Sequence, residues 1–237
     1  YVIKKIQYWK ALGNTAFNIE NVNLKHTVDG ETSEVKVVTS EGTGSGGLFG
    51  QSVRQLADCS LKKVKIQCPV RVTGSGKYCG GLIGYIKLNK NLTIVRNQST
   101  SVVYGDEAVG GMIGEVNMEN GGSLSLGDSI IKSHVCVSGS AVSSVKGRET
   151  VGGFIGAFKF GSLTIKNINI ATNVFGTENN VGGLIGYLES ADVKVEATTI
   201  LDENMMVEGK ESVGGLFGCA NKTLLQGPSD NIVNFND

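Results

Sequence analysis

One five-residue motif, two glycines followed by two apolar residues and a third glycine, occurs six times in this chain of 237 residues. Successive copies lie 34, 30, 42, 30 and 32 residues apart, and their first glycines are Gly46, Gly80, Gly110, Gly152, Gly182 and Gly214. A period in this range is typical of proteins built from stacked similar units, because one unit alone cannot bury its apolar face. The motif therefore restricts the shape of the protein far more than its chemistry.

The unit at residues 181–209 indicates which secondary structure the repeat forms. Its first apolar run is too short for a helix and contains glycines, which favours a strand. Val193 and Val195 alternate with polar residues and predict a second strand, and residues 205–209 predict a third. Three short strands in about 30 residues predict an all-β fold, a right-handed parallel β-solenoid (β-helix) of about six to seven rungs with three strands per rung.

We expect the whole chain, residues 1–237, to form this single solenoid domain. Its expected parts are a degenerate first rung at 1–45, tandem rungs at 46–218 and a partial last rung at 219–237. Neither end of the sequence shows a polar helical cap, so we expect neighbouring sequence or another molecule to continue the rod. The chain begins at Tyr1, and we expect it to be a piece of a longer product.

Two local features refine this domain prediction. Residues 16–24 align with residues 162–170, which is the reason for placing a rung before the first glycine motif. The longest spacing, after Gly110, predicts an inserted loop at residues 121–123 or 138–144, where glycine and serine are frequent.

The two apolar positions of the motif predict two rows of side chains along the rod. If the motif is a strand, alternation places its neighbouring residues on opposite faces, so only one row can face the interior. The other row would form an outer apolar stripe beside glycine grooves, covered by the chain itself or by a lateral partner or self-association. Our candidates for this assembly row are Leu48, Leu82, Met112, Phe154, Leu184 and Leu216. The second row is Phe49, Ile83, Ile113, Ile155, Ile185 and Phe217.

The charge and apolar patterns argue against several classes of partner. Lysine plus arginine and aspartate plus glutamate both number 22, so the formal net charge is zero and a nucleic-acid partner is not expected. No apolar stretch approaches the roughly 18 residues of a membrane span. The five cysteines form no paired motif, and Cys79 takes a position that valine fills in other repeats, which predicts a small buried apolar residue.

Three N-glycosylation sequons favour an extracellular or cell-surface location. The acceptor candidates are Asn91, Asn97 and Asn221, each followed by serine or threonine two residues later. A chain rich in asparagine, serine and threonine also contains such triplets by chance. We therefore treat N-linked glycans at these three positions as an expectation.

A glutamate precedes the glycine motif in four repeats, at Glu107, Glu149, Glu178 and Glu211. Stacked carboxylates repel one another, and either Ca²⁺ or the alternating signs of Asp106, Arg148 and Lys210 would relieve that repulsion. Calcium-binding β-rolls carry a regular aspartate after the last glycine, whereas this chain has Gln51, Tyr85, Glu115, Ala157, Tyr187 and Cys219 there. No cofactor is therefore expected, and solvated turns are the preferred interpretation.

The tandem motif resembles the GLUG motif, which occurs in bacterial IgA-peptidase-like surface proteins and in other large extracellular proteins. The resemblance covers roughly residues 42–218 and rests on six copies of the motif. It implies a β-solenoid region with a surface or adhesin-like role. It does not imply peptidase activity, because His26 and His134 are the two histidines and neither belongs to a zinc-binding HExxH helix.

No arrangement of catalytic residues stands out in the sequence. The chain contains no GxSxG nucleophile elbow and no Walker A loop, and His134 and Cys136 sit two residues apart without further support as a dyad. We therefore expect a non-enzymatic structural protein, a segment or subunit of a filament, coat or adhesin stalk that assembles through its open ends and apolar row. Its expected partners are copies of itself or neighbouring segments of the parent protein.

Two other functions remain open at this point. An adhesin domain that binds glycans or a host protein would use exposed aromatic residues, for which Tyr85, Tyr187, Tyr104 and Trp9 are candidates. A polysaccharide lyase or hydrolase, which some parallel β-helices are, would need acidic and basic residues aligned between rungs.

Overall fold

The computed structural model describes residues 18–24, 27–28, 31–32, 35–39, 44–55, 58–66, 70–74, 76–99, 101–119, 121–132, 144–196, 200–201 and 205–227. All regular secondary structure in these ranges is β-strand. The first sixteen strands are β1 (Asn18–Glu20), β2 (Asn23–Leu24), β3 (Thr27–Val28), β4 (Glu31–Thr32), β5 (Val35–Thr39), β6 (Ser45–Gly46), β7 (Phe49–Gln55), β8 (Cys59–Lys62), β9 (Lys65–Ile66), β10 (Val70–Gly74), β11 (Lys77–Gly80), β12 (Ile83–Leu88), β13 (Leu92–Val95), β14 (Gln98–Ser99), β15 (Ser101–Tyr104) and β16 (Glu107–Gly110).

The remaining strands extend to residue 226. They are β17 (Ile113–Met118), β18 (Ser123–Gly127), β19 (Ile130–Lys132), β20 (Ser144–Gly147), β21 (Glu149–Gly152), β22 (Ile155–Lys166), β23 (Asn169–Ala171), β24 (Asn173–Gly176), β25 (Asn179–Gly182), β26 (Ile185–Val195), β27 (Ile200–Leu201), β28 (Val207–Glu208), β29 (Glu211–Gly214), β30 (Phe217–Asn221) and β31 (Leu224–Gln226).

These strands form four parallel sheets that run the length of the described chain. Sheet I has 11 strands, β1, β7, β8, β12, β13, β17, β18, β22, β26, β30 and β31. The other three have six strands each: sheet II is β2, β9, β14, β19, β23 and β27; sheet III is β5, β10, β15, β20, β24 and β28; sheet IV is β6, β11, β16, β21, β25 and β29. A two-stranded antiparallel hairpin, β3 with β4, is the exception.

The chain passes through the sheets in a fixed order, which makes the fold a β-solenoid. From β13 it enters sheet II at β14, sheet III at β15 and sheet IV at β16, and it returns to sheet I at β17. We call one such circuit a coil, and the chain completes about four in succession. The predicted all-β parallel solenoid is confirmed. The expected three strands per rung is too low, because five strands lie between Gly81 and Gly110.

The glycine motif forms a sharp corner between sheet IV and sheet I. The strand in sheet IV ends at the first glycine, as β16 does at Gly110, and β17 begins at the second apolar residue, Ile113. A β-carbon on Gly110 would overlap the carbonyl oxygen of Ile113, so the turn itself excludes every other residue. A β-carbon on Gly114, the third glycine, would lie 2.7 Å from the backbone nitrogen of Cys79 in the preceding coil. Glycine is therefore needed both for the turn and for close stacking of coils.

Both apolar residues of the motif are buried, so the predicted outer stripe is wrong. In the central copy, Phe154 and Ile155 are both 0 % exposed. Alternation between faces holds only along a continuous strand, and here a bend over Gly153 and Phe154 interrupts it. Of the candidate assembly residues, Leu48, Leu82, Met112, Phe154 and Leu184 are buried, and Leu216 is partly buried against the same core.

The register of β1 agrees with the predicted alignment of the amino-terminal segment. Asn18 pairs with Ser60 of β8. Successive strand pairings of sheet I continue this row to Thr164, which is the residue that the sequence alignment matches with Asn18. The predicted loop at residues 121–123 is partly wrong, since Ser123 begins β18 and pairs with Ser162. The alternative loop position, residues 138–144, lies outside the described residues except for Ser144, which begins β20.

Substituting Gly156 with alanine is expected to destabilise the fold strongly. The added β-carbon would lie 2.5 Å from backbone atoms of Ala108 and Val109 and 2.6 Å from the carbonyl oxygen of Gly114. Backbone atoms cannot yield by changing rotamer, so we expect the free energy of unfolding to fall by about 3 kcal/mol or more. Urea unfolding followed by circular dichroism measures the loss. Gly227→Ala is the control, because a β-carbon there meets nothing within 4 Å; equal losses in the two variants would contradict the corner's role.

Candidate functional site

The described ranges contain no candidate metal centre. Among those residues, no group of three or more histidine, cysteine, aspartate or glutamate side chains could hold a metal ion. Nor does the described part of the chain contain a helix of the length and apolarity needed to cross a bilayer. His26, His134, Cys68, Cys136 and Trp9 lie outside the described residues.

The glycine grooves expected beside an outer stripe are filled by the protein's own backbone. A β-carbon on Gly186 would lie 2.6 Å from the nitrogen of Val151 and 2.8 Å from the carbonyl oxygen of Asn180. A β-carbon on Gly218 would lie 2.6 Å from the carbonyl oxygen of Gly186. These positions therefore join coils to each other and leave no space for a partner's side chains. The lateral apolar surface predicted from the motif does not exist along this row.

The three sequons occupy different environments. Asn91 is exposed, and its side-chain oxygen accepts a hydrogen bond of 2.7 Å from the hydroxyl of Ser123. Asn221 is exposed as well, and its amide nitrogen donates to the hydroxyl of Tyr187 at 3.4 Å. Asn97 is only 1 % exposed. The structure therefore presents Asn91 and Asn221 as accessible acceptors, while Asn97 belongs to the interior.

Asn97 connects neighbouring coils through its side-chain amide. Its oxygen accepts a hydrogen bond of 2.8 Å from the backbone N–H of Val64, and its nitrogen donates to the carbonyl of Leu61 at 3.0 Å. Its own backbone N–H donates to the hydroxyl of Ser129 in the next coil at 3.2 Å. A glycan on the amide nitrogen would have no room at a position that is 1 % exposed. Asn97 is therefore a structural residue, and its assignment as a glycan acceptor is wrong for the folded protein.

The turn that leads into sheet IV carries a charge network. The guanidinium of Arg148 contacts Asp106 at 2.6 Å, Glu178 at 2.8 Å and Glu149 at 3.2 Å, and so joins carboxylates from three coils. Hydrogen bonds to Asp106 and then Glu178 raise the pKa of Arg148. Glu107 pairs with Lys77 at 2.7 Å, although it also stacks in register on Glu149. Arg148 and Lys77 thus pair with four of these turn carboxylates, which relieves part of the repulsion that the sequence predicted.

A second charged group lies on the outer side of sheet I. Glu115 is the one carboxylate that is buried among the described residues, at 3 % exposure, and Lys159 of the next coil contacts it at 3.0 Å. Burial raises the pKa of Glu115, and Lys159 offsets only part of that effect. The rings of Tyr78 and Tyr85 stack beside this pair, with centroids 4.6 Å apart. Burial also raises the pKa of Tyr85 to about 12, and the charge of Glu115 adds to that increase.

The aromatic candidates do not form one continuous surface. Tyr85 and Tyr187 share a row of sheet I, but Glu115 and Ala157 separate them. Tyr104 belongs to sheet III, on another side of the solenoid. Tyr78, which sequence reasoning missed, is the residue that stacks on Tyr85. Tyr78 lies two residues before the glycine pair of its repeat, and this position was the signal available in the sequence.

Three of the five cysteines, Cys59, Cys79 and Cys219, lie in the described part of the chain. Cys59 and Cys79 are buried, and Cys219 is partly exposed. Cys79 pairs with Val109 in sheet IV and is 0 % exposed, so its prediction as a small buried apolar residue is confirmed. Burial raises the pKa of its thiol to about 11, which keeps it protonated and unreactive at neutral pH.

The carboxy-terminal end of the described stack exposes residues that are buried elsewhere. Val213 is 44 % exposed, whereas Val181, its partner one coil earlier, is 0 % exposed. Leu225 is 49 % exposed, against 1 % for its partner Val193. The apolar interior of the solenoid therefore reaches the surface at this end.

Comparison with models of known protein families, with curated proteins and with solved structures gives no match for this chain.

Replacing Asn97 with alanine is expected to lower the free energy of unfolding by about 1–3 kcal/mol, because the Val64 N–H and the Leu61 carbonyl lose their partners in a buried site. Asn91→Ala removes an asparagine from the exposed face of the same strand region and is expected to change stability by less than about 0.5 kcal/mol. Parallel urea titrations of both variants measure the difference. A loss at Asn91 as large as that at Asn97 would count against the buried amide's role.

The raised pKa of Glu115 predicts a specific pH dependence. Between the usual pKa of glutamate and the higher folded-state value, the unfolded chain releases the proton while the folded protein keeps it. Stability contributed by Glu115 is therefore greatest at low pH and is lost as the pH rises through this window. The Glu115→Gln variant does not suffer that loss. The melting temperature of the variant minus that of wild type should therefore increase from pH 4 to pH 7.

Calorimetric melting across this pH range tests the prediction, with Glu119→Gln as the matched control. Glu119 also pairs with a lysine, Lys87, but its side chain is 46 % exposed. We expect the melting temperature of Glu119→Gln minus that of wild type to show no such increase. A Glu115→Gln difference that falls with increasing pH would mean that attraction to Lys159 outweighs burial.

Proposed function

We propose that this chain is a non-enzymatic structural β-solenoid, a segment or subunit of an extracellular filament, surface coat or adhesin stalk. The observation that carries the proposal is the continuity of the stack: one apolar core extends through successive coils and is exposed again at the carboxy-terminal end. A fold of this kind converts chain length into rod length, since each coil adds about 4.8 Å along the axis. We further propose right-handed winding over six to seven rungs, which is supported by the six strands in each of sheets II, III and IV and by the right-handed preference of parallel connections.

Ion pairs between residues of neighbouring coils also support a structural role. Arg148 and Lys77 pair with the turn carboxylates, and Lys159 pairs with the buried Glu115. These ion pairs stabilise contacts between coils, which is a structural use of the charges. The formal net charge of zero gives no general attraction to a polyanion or to an acidic surface.

The surface location is supported by two further features. The tandem motif resembles GLUG repeats of extracellular proteins, and two of the three sequons, Asn91 and Asn221, are exposed in the structure. We propose N-linked glycans at these two positions.

Localisation and glycan mapping on cells that make the protein test this proposal. Antibody labelling of intact cells, viewed by electron microscopy, should mark fibres or a coat outside the membrane. Peptide mass spectrometry of the same material should find glycan on Asn91 or Asn221 and none on Asn97. Label that appears only after permeabilisation, together with three unmodified sequons, would overturn the surface role.

One observation favours a second candidate, an adhesin that binds glycans or a host protein. The stacked rings of Tyr78 and Tyr85 beside Glu115 and Lys159 combine an aromatic surface with polar groups, which suits a sugar ring. A glycan array screened with wild type and Tyr85→Ala decides this case. Binding that the substitution abolishes would support the adhesin, and an array without hits would exclude glycans as its ligand.

A further inference from the structure

We propose that Tyr78 and Tyr85 form a site of oxidative cross-linking, at which a peroxidase with hydrogen peroxide joins the two rings as dityrosine. The rings are already stacked, with centroids 4.6 Å apart and planes inclined by 25°. The new bond would connect β11 of sheet IV with β12 of sheet I and would close the glycine corner between these strands covalently. The inference goes beyond the proposed structural role and does not depend on it.

The glycine corner brings these two positions together. Tyr78 lies two residues before the glycine pair and Tyr85 directly follows the third glycine, so the two are seven residues apart. In the preceding coil the same positions are Gly44 and Gln51, and a β-carbon on Gly44 would lie 3.2 Å from that of Gln51. The two positions therefore face each other in both coils, and the stacking of the tyrosine rings follows from the fold.

The backbone at Tyr78 holds its side chain in an unusual direction. Its φ is 66°, in the left-handed region that is unfavourable for a bulky side chain. The equivalent residues of the four following repeats also have φ between 53° and 61°; they are Ala108, Thr150, Asn180 and Ser212. The conformation thus belongs to the coil, and it positions the ring of Tyr78 against Tyr85 before any reaction. Such positioning favours coupling within the pair over coupling between separate chains.

Burial and a nearby carboxylate control the charge of the two phenols. Burial raises the pKa of Tyr85 to about 12 and also raises the pKa of Tyr78, and the charge of Glu115 is the second cause in both cases. Both rings are therefore neutral at neutral pH and stack without charge repulsion. The negative charge of Glu115 also favours removal of an electron from either ring, because an oxidised phenol is positively charged until it releases its proton.

The coupling needs the oxidant and the two rings. Each phenol loses one electron and its hydroxyl proton and becomes a phenoxyl radical, whose unpaired electron is shared with the ring carbons ortho to the oxygen. The two unpaired electrons form a bond between one ortho carbon of each ring. Each of these carbons then releases its hydrogen as a proton while each oxygen regains one, which restores two phenols. In total the protein loses two hydrogen atoms, and one hydrogen peroxide is reduced to two waters.

Tyr187 provides a matched comparison within the same sheet. It occupies the position of Tyr85 in its own coil, but the position equivalent to Tyr78 is filled by Asn180. Two strands of sheet I lie between Tyr187 and Tyr85. We therefore expect Tyr187 to form no link within the wild-type chain, although its ring is half-buried like that of Tyr85.

Oxidation of the folded chain by a peroxidase, followed by trypsin digestion and mass spectrometry, tests the proposal. Trypsin cleaves after Lys77 and Lys87, so one peptide of residues 78–87 carries both tyrosines. We expect this peptide to become lighter by two hydrogen atoms, to show dityrosine fluorescence and to resist fragmentation between the two rings. The linked form should exceed dityrosine between chains at least about tenfold.

Three variants examine the contribution of the corner. Tyr85→Phe should remove the product, because phenylalanine forms no phenoxyl radical, and Tyr187→Phe should leave it unchanged. Adding Asn180→Tyr to the Tyr85→Phe chain should create a new link between residues 180 and 187, since the corner holds these positions in the same way. Circular dichroism of each variant before oxidation checks that it is folded.

Several results would overturn the inference. A peptide 78–87 that stays unlinked while peroxide is consumed would do so, and so would dityrosine that joins only separate chains. Equal product from wild type and Tyr85→Phe would mean that another pair of tyrosines reacts. A folded Asn180→Tyr variant without the new link would contradict the role of the corner. None of these results affects the proposed structural role, which the labelling of intact cells tests separately.

Discussion

The contact between the third glycine of the motif, from Gly84 to Gly218, and the backbone of the preceding coil is the constraint on which the rest of the structure depends. At Gly114 and Gly156 the two coils approach so closely that a single β-carbon would overlap main-chain atoms. Glycine at these positions permits the spacing at which the strands on every side pair in parallel. The apolar rows then stack in register, because each coil repeats the position of the one before it.

The sequence predicted the repeated, parallel and all-β character of the fold because these properties follow from period and composition. It also predicted the alignment that places Asn18 in the row of Thr164. The prediction that one of the two apolar residues of the motif faces outward was wrong. It assumed that both lie in one continuous strand, where neighbouring residues point to opposite faces. The bend at Gly153 and Phe154 results from contacts between coils, which a local pattern does not contain.

The same limit applies to the surface residues. Asn97 matches a sequon in sequence, yet its side-chain amide bonds to Val64 and Leu61 and its backbone N–H bonds to Ser129. Comparison with the equivalent Val64 and Ile168, both at 0 % exposure, would have indicated an interior position. Glu115 and Lys159 give no sequence signal of their pairing, because they lie in different coils and meet only when the register is known. Residue roles in this protein are therefore decided by position within the coil.

Stacking also determines how stability is distributed along the solenoid. An interior coil has a neighbour on each side, and its stability includes two interfaces, whereas a terminal coil has one. The coil of β29 to β31 exposes Val213 and Leu225, and we therefore expect it to be less stable than an interior coil, which is covered on both sides. Stability in this fold thus depends on the contacts between neighbouring coils more than on any coil by itself.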